Sequence, residues 1–248
     1  ATAVGLGAFG LYSMWAAFQN SFYTWGPYLS PFYSLLLEFS WMPHWFSPAF
    51  LILGAPLGFR ATCYYYRKAY YRAFFFSPPA CSVGKGRSQG YNGERAFPFI
   101  LQNLHRFFMY LAVLFIFILG YDAVLGMHFP LDSTGKVMSD AFHYAPTSHR
   151  WGFGVGSAVL ILNVILLSCY TFGCHSLRHL IGGKTDCFSC IASGGPTPPA
   201  SYKAFQKVSW LNERHMQFAW ASLASVGLAD IYVRGVAMGL WRDLYFLF

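Results

Sequence analysis

The chain has 248 residues, of which 56% are hydrophobic, 21% aromatic and 10% charged, whereas a soluble domain carries about 25% charged residues. An ordinary water-soluble globule is therefore excluded. The first charged residue is Glu38, none occurs between Trp151 and Cys174, and the net charge is +8.

A bilayer core needs about 20 mainly apolar residues per helix. Five runs of that kind follow in chain order, roughly residues 4–23, 46–66, 104–127, 151–171 and 214–236. They predict a single transmembrane domain, an all-α integral membrane protein built as a five-helix bundle. Pro56 is expected to kink the second helix, which membrane helices tolerate where neighbours satisfy the freed carbonyl. Strand-length alternation is absent, which reads against a barrel. The first run lacks the basic flank and cleavage pattern of a signal peptide and reads as a retained helix.

The connections at 67–103 and 175–213, with their flanking residues, hold thirteen of the 17 basic residues, from Arg60 to Arg106 and from Arg178 to Arg214. By the positive-inside rule both connections are cytoplasmic, with the N-terminus inside and the C-terminus outside. Nothing resembles a nucleic-acid recognition motif. Trp25, Trp41, Trp45 and Trp151 fall near the outer boundary, where indoles anchor. The tail from Leu240 to Phe248 mixes aromatic and charged residues and is expected to lie along that surface.

The chemistry gathers at the inner side. Cys63, Cys81, Cys174, Cys187 and Cys190 map to inner helix ends or loops, Cys169 lies just inside the fourth helix, and His105, His175, His179 and His215 share that side. Inward thiols read as free cysteines or metal ligands, since structural disulfides belong to oxidising compartments. In Gly173 to Cys190, a fourth helix continued to Leu180 would place His175 and His179 on one face, with Gly182 and Gly183 turning the chain so that Cys187 or Cys190 returns. Two histidines and two cysteines suit tetrahedral zinc or a 2Fe-2S cluster. A b-type haem is the third candidate, although the first two helices contain no histidine. Cys81 and Cys187 are the first choice of thiolates for the His175/His179 pair, with Cys63 and Cys174 as the alternative pair at similar helix depth.

The segments TCYYYRKAYYR (Thr62 to Arg72), SPPAC (Ser77 to Cys81), QNLHRFF (Gln102 to Phe108), CHSLRHLIGG (Cys174 to Gly183) and LNERHMQFAW (Leu211 to Trp220) resemble the membrane-anchor subunit of succinate dehydrogenase. The resemblance is to the single-chain, five-helix anchor of the actinobacterial first-type enzyme, a complex II relative. It implies a subunit of the bacterial cell membrane that docks a flavoprotein and an iron-sulfur protein on the cytoplasmic face and reacts with a quinone, menaquinone being the expected one. It further implies a Rieske-type 2Fe-2S cluster in place of haem b, no succinate-oxidising site in this chain, and a complex able to oligomerise.

For the quinone, His105 and Arg106 at the start of the third helix and His215 at the start of the fifth are the expected hydrogen-bond donors. Arg60 and Arg67 are expected to raise the local potential, and the basic, tyrosine-rich run after Cys63 to extend the second helix as far as Ser77 and serve as a docking surface. Asp122 and Asp230 fall in the outer half of their helices. Asp230 is expected to pair with Arg234 one turn on, or to take part in a proton route. A transporter is the competing class, but no inverted repeat is evident. A stand-alone metalloenzyme would need a motif such as His-Glu-x-x-His, which is absent.

Overall fold

The computed structural model describes residues 1–39, 42–43, 46–75, 97, 99–142, 144–182 and 200–248. Cys81, Cys187 and Cys190, Trp41 and Trp45, and the proposed helix stop at Ser77 lie outside the described residues.

Each apolar run contains a helix. These are α1 (Thr2–Gln19), α2 (Ala49–Thr62), α4 (His105–Leu125), α5 (Val155–Phe172) and α8 (His215–Ala237), with α3 (Tyr64–Phe74), α6 (His175–Gly182) and α7 (Ala200–Glu213) as amphipathic additions. Among the described residues two segments have the length and hydropathy to cross a bilayer, Ile100–Leu125, which joins a 3-10 turn to α4, and Val155–Phe172. Only 22% of the first segment's apolar window is buried within the protein. Phe117, Tyr121 and Leu114 on α4, with Leu162 and Ile165 on α5, stay exposed, as expected of a surface solvated by lipid tails. The 14 residues of α2 rise only about 21 Å at 1.5 Å each.

The helices run alternately up and down, so the ends of α2 and α5 and the starts of α4 and α8 meet at one end of the bundle. Small residues set the spacing there. A Cβ on Gly58 would lie 2.3 Å from the Phe108 ring, so α2 and α4 approach this closely only with glycine at that position. The shared core at this end is Phe59, Cys63, Tyr66, Met109, Tyr170, Cys174, Ala219 and Leu223.

Two expectations about the elements need correction. The second helix does not run on past Cys63. That residue adopts an extended ψ of 130°, ends α2 and starts α3, which packs back against α1. The fourth helix stops at Phe172, and α6 begins only after Gly173 and Cys174. The fold is mostly helical, as expected, with short strands added. The far end is closed by a β1–β2 hairpin (Thr24–Trp25 and Tyr28–Leu29) and an antiparallel sheet ordered β3-β4-β5 (His128–Leu131, Ser148–Gly154, Tyr245–Leu247). The C-terminal tail is thus a strand, pairing Gly152 with Leu247 and Gly154 with Tyr245. Glycines 152, 154 and 156 admit it, because a Cβ at any of them would meet Leu247, Asp243 or Tyr28 at under 3 Å.

Polar side chains knit this far end together. Arg234 donates from Nε to Asp230 at 3.1 Å, and both residues are almost fully buried. Tyr12 and Ser30 also donate to Asp230, while Arg234 reaches the Gln19 side chain and the Ser21 carbonyl at 2.6 Å. The expected pair is therefore the centre of a network that ties α1 and the first hairpin to α8. Asp243 similarly accepts from Tyr28 at 2.7 Å, Tyr232 at 2.6 Å and the Gly156 amide at 3.1 Å, and Asp122 accepts from Ser34.

Candidate functional site

The break at Cys63 turns its thiol into the bundle, where it is 3% exposed. Its Sγ lies 3.6 Å from Nε2 of His215, the first residue of α8. Cys174, in the gap between α5 and α6, is equally enclosed, and its Sγ lies 3.1 Å from Nε2 of His105, the first residue of α4. Four element ends thus deliver two cysteines and two histidines to one layer, in two Cys–His contacts.

Hydrogen bonding fixes the His105 ring. Thr62 Oγ1 is 2.7 Å from the Gly58 carbonyl and 2.9 Å from His105 Nδ1. The single hydroxyl proton goes to the carbonyl, so Oγ1 accepts from Nδ1–H. Nε2 is then the bare nitrogen, directed at Cys174. Burial pushes the Cys174 thiol up to about 11, which favours a protonated thiol that donates to that nitrogen. Phe59 stacks on His105 at 4.9 Å and 5°.

His215 is held differently. Its ring stacks on Tyr170 at 4.8 Å, its Nε2 faces Cys63, and its buried Nδ1 has no hydrogen-bond partner, nor does the buried Tyr170 hydroxyl. Beside this pair, Arg60 donates to Tyr66 at 2.5 Å and to Ser222 at 3.0 Å, with its guanidinium 4.7 Å over Tyr170.

The residues singled out from the sequence therefore divide. Cys63 and Cys174 come together with His105 and His215, which the sequence reading had given to quinone. His175 and His179 do share a face, with Nε2 atoms 3.0 Å apart, but both are exposed and no described cysteine contacts them. Burial, with help from His179 and Arg178, lowers the pKa of His175. Arg106 is exposed at the start of α4, and Cys81 and Cys187 lie outside the described residues. Among the described residues no three His, Cys, Asp or Glu side chains gather closely enough for a single metal ion. Thr62, Phe59 and Tyr170 were not anticipated as parts of the site. The legible signal was depth, since Cys63, Cys174, His105 and His215 all occupy helix ends at the same end of the bundle.

The family described as actinobacterial succinate dehydrogenase subunit SdhC matches residues 1–239. The chain belongs to this SdhC family. It is accordingly the membrane subunit of a succinate dehydrogenase. A solved structure, the Mycobacterium smegmatis Sdh1 complex in the apo form, contains a chain 40% identical to it, with a TM-score of 0.80 over 99% of this chain and 89% of that one. No match was found among curated proteins. This SdhC chain thus works in a membrane-bound complex with other succinate dehydrogenase subunits.

Proposed function

We propose that this SdhC chain is the quinone-reactive anchor of its complex, and that Cys63, Cys174, His105 and His215 hold a Rieske-type 2Fe-2S cluster. The carrying observation is the pair of buried Cys–His contacts at one end of the bundle. A two-iron cluster asks for two protein ligands per iron, four in all, so it suits two pairs of donors where a tetrahedral single ion would need them gathered around one point. The donor set supports the same reading through its unsatisfied atoms. A buried imidazole nitrogen without a partner is costly, and a ring with one bare nitrogen and the other hydrogen-bonded outward is how metal-binding histidines are usually held.

Such a cluster supplies one-electron transfer at a potential that histidine ligation raises above that of an all-cysteine centre. The chain's residues do the rest. Thr62 keeps the Nε2 lone pair of His105 directed inward, Phe59 and Tyr170 clamp the two imidazoles, and the apolar core around them excludes water. The flavoprotein and iron-sulfur partners would oxidise succinate on the cytoplasmic side, and menaquinone would be reduced at this end of the bundle. Exposed Arg106 at the mouth is available as a hydrogen-bond donor to the quinone. Five spans, an inner N-terminus and an outer C-terminus in the bacterial cell membrane complete the reading, supported by basic residues concentrated at the cysteine end.

The test is iron content and low-temperature electron paramagnetic resonance on the purified complex. Cys63→Ser and Cys174→Ser should each abolish a reduced 2Fe-2S signal additional to those of the iron-sulfur subunit, while Cys81→Ser and Cys187→Ser retain it. Full iron in the first two variants, or a haem α-band in the wild type with no additional cluster signal, would overturn the assignment.

A further inference from the structure

Arg60 stands one turn before Cys63 at the end of α2, half-buried. All its described partners are neutral: the Tyr66 hydroxyl at 2.5 Å, the Ala219 carbonyl at 3.3 Å, Ser222 Oγ at 3.0 Å, and the faces of Tyr170 and Tyr66 at 4.7 and 5.5 Å. A guanidinium keeps its positive charge in a protein. At the far end of the bundle the buried Arg234 has Asp230 as its counter-ion, whereas no described carboxylate contacts Arg60. An uncompensated cation inside a membrane bundle is expensive, and such residues mark function.

The contacts lead from that charge to the sulfur site. Tyr170, which carries the guanidinium on its ring, also stacks on His215 at 4.8 Å, and Nε2 of His215 lies 3.6 Å from Cys63 Sγ. Tyr66, which Arg60 holds, donates to the Ala219 carbonyl at 2.6 Å and belongs to the same core as Cys63 and Cys174. Arg60 thus flanks the ligand set without touching it.

We infer that Arg60 is the fixed counter-charge of the redox centre and sets its reduction potential. This rests on the cluster reading above. Two ferric ions, two sulfides, two thiolates and two neutral imidazoles sum to zero charge. One electron, delivered from succinate oxidation in the partner subunits, reduces one iron and leaves a net charge of −1. A cation held nearby at low dielectric favours that state, so the centre accepts electrons more readily than its ligands alone would allow. Arg60 is a positioning residue for charge, and its hydrogen bonds serve to hold the guanidinium in place.

The experiment is a redox titration of the purified complex followed by electron paramagnetic resonance. Arg60→Gln should keep full iron and lower the equilibrium constant for one-electron reduction at least tenfold, which is 59 mV for a one-electron couple. Arg60→Lys, which keeps the charge without the guanidinium fork, and Tyr66→Phe, which removes a hydrogen bond and leaves the charge, should each stay within about threefold of the wild type. An unshifted Arg60→Gln would overturn the proposal. If Arg60→Gln does not assemble, the other two variants decide, since a tenfold fall in both would assign the effect to hydrogen bonding instead of charge. Absence of any additional cluster signal from the wild type would overturn the cluster reading itself, an outcome distinct from a cluster present at unaltered potential.

Discussion

One hydroxyl determines which nitrogen of His105 faces Cys174. Because Thr62 spends its proton on Gly58, it can only accept from Nδ1, and loss of that acceptor would free the ring to adopt the other tautomer. Thr62→Val is therefore expected to weaken iron retention about 10- to 100-fold, the usual range for the outer partner of a metal-binding histidine, while Thr62→Ser preserves it. Iron release to a chelator, followed over time for both variants, checks this. At the far end, Asp230 takes hydrogen bonds from Tyr12, Ser30 and Arg234. Asp230→Ala would leave the Arg234 cation buried and unpaired, at a cost of about 3–5 kcal/mol. Thermal unfolding of the purified complex should show a clear fall in midpoint for Asp230→Ala, and retention of wild-type stability would show that this network contributes little.

Helices were legible because their apolar runs exceed anything a soluble fold needs, and the Asp230–Arg234 pair was legible because it is local, four residues apart. The partners Tyr12 and Ser30 were not, since they arrive from distant parts of the chain. The break at Cys63 was hidden for a related reason. Pro56 is the residue that reads as a helix breaker, yet it sits inside α2, and the chain departs from helix at a cysteine whose extended ψ is set by where its thiol and α3 must go. Assigning His175 and His179 to the metal followed from their spacing, which is correct for a shared helix face but carries no information about depth or burial. His105 and His215 are 110 positions apart in sequence, and only the parallel course of α4 and α8, which start at the same end of the bundle, aligns them. The strands were missed because β5 and the end of β4 are aromatic- and glycine-rich pieces too short to show alternation. One small element there offers a pH test. Asp132 accepts from the Thr134 amide and hydroxyl at 2.7 Å and from the Lys136 amide at 3.0 Å, and these bonds hold its carboxyl below the usual carboxylate range. A lowered folded-state pKa contributes stability above the unfolded value near 3.9, lost as the pH falls through the folded value. Amide exchange at Thr134 and Lys136 should consequently stay slow at pH 5 and accelerate, relative to the intrinsic rate, only well below pH 4.

On the scale of the whole molecule the two ends divide the labour. One end gathers thiols, imidazoles and Arg60, which no described carboxylate contacts, and the other is sealed by strands and by carboxylates that are already hydrogen-bonded. Lipid-facing helices between them expose apolar side chains, so the proposed chemistry would be confined to one membrane face, with the far end as a closure. This asymmetry makes the orientation directly measurable. Among the described residues every cysteine lies at or near one end of the bundle, namely Cys63, Cys169 and Cys174, so a membrane-impermeant maleimide applied to intact cells is read against the labelling of the unmodified chain. Ser133, exposed in the loop after β3, and Ser201, exposed at the start of α7, report on opposite faces. Ser133→Cys should label in intact cells, and Ser201→Cys only after permeabilisation. The reverse pattern would place the cysteine end outside, against the positive-inside rule and in a compartment where reduced thiols and their cluster would be exposed to oxidation. It would also put the site on the face opposite the proposed succinate-oxidising partners, so the labelling pattern tests that proposal as well as the topology.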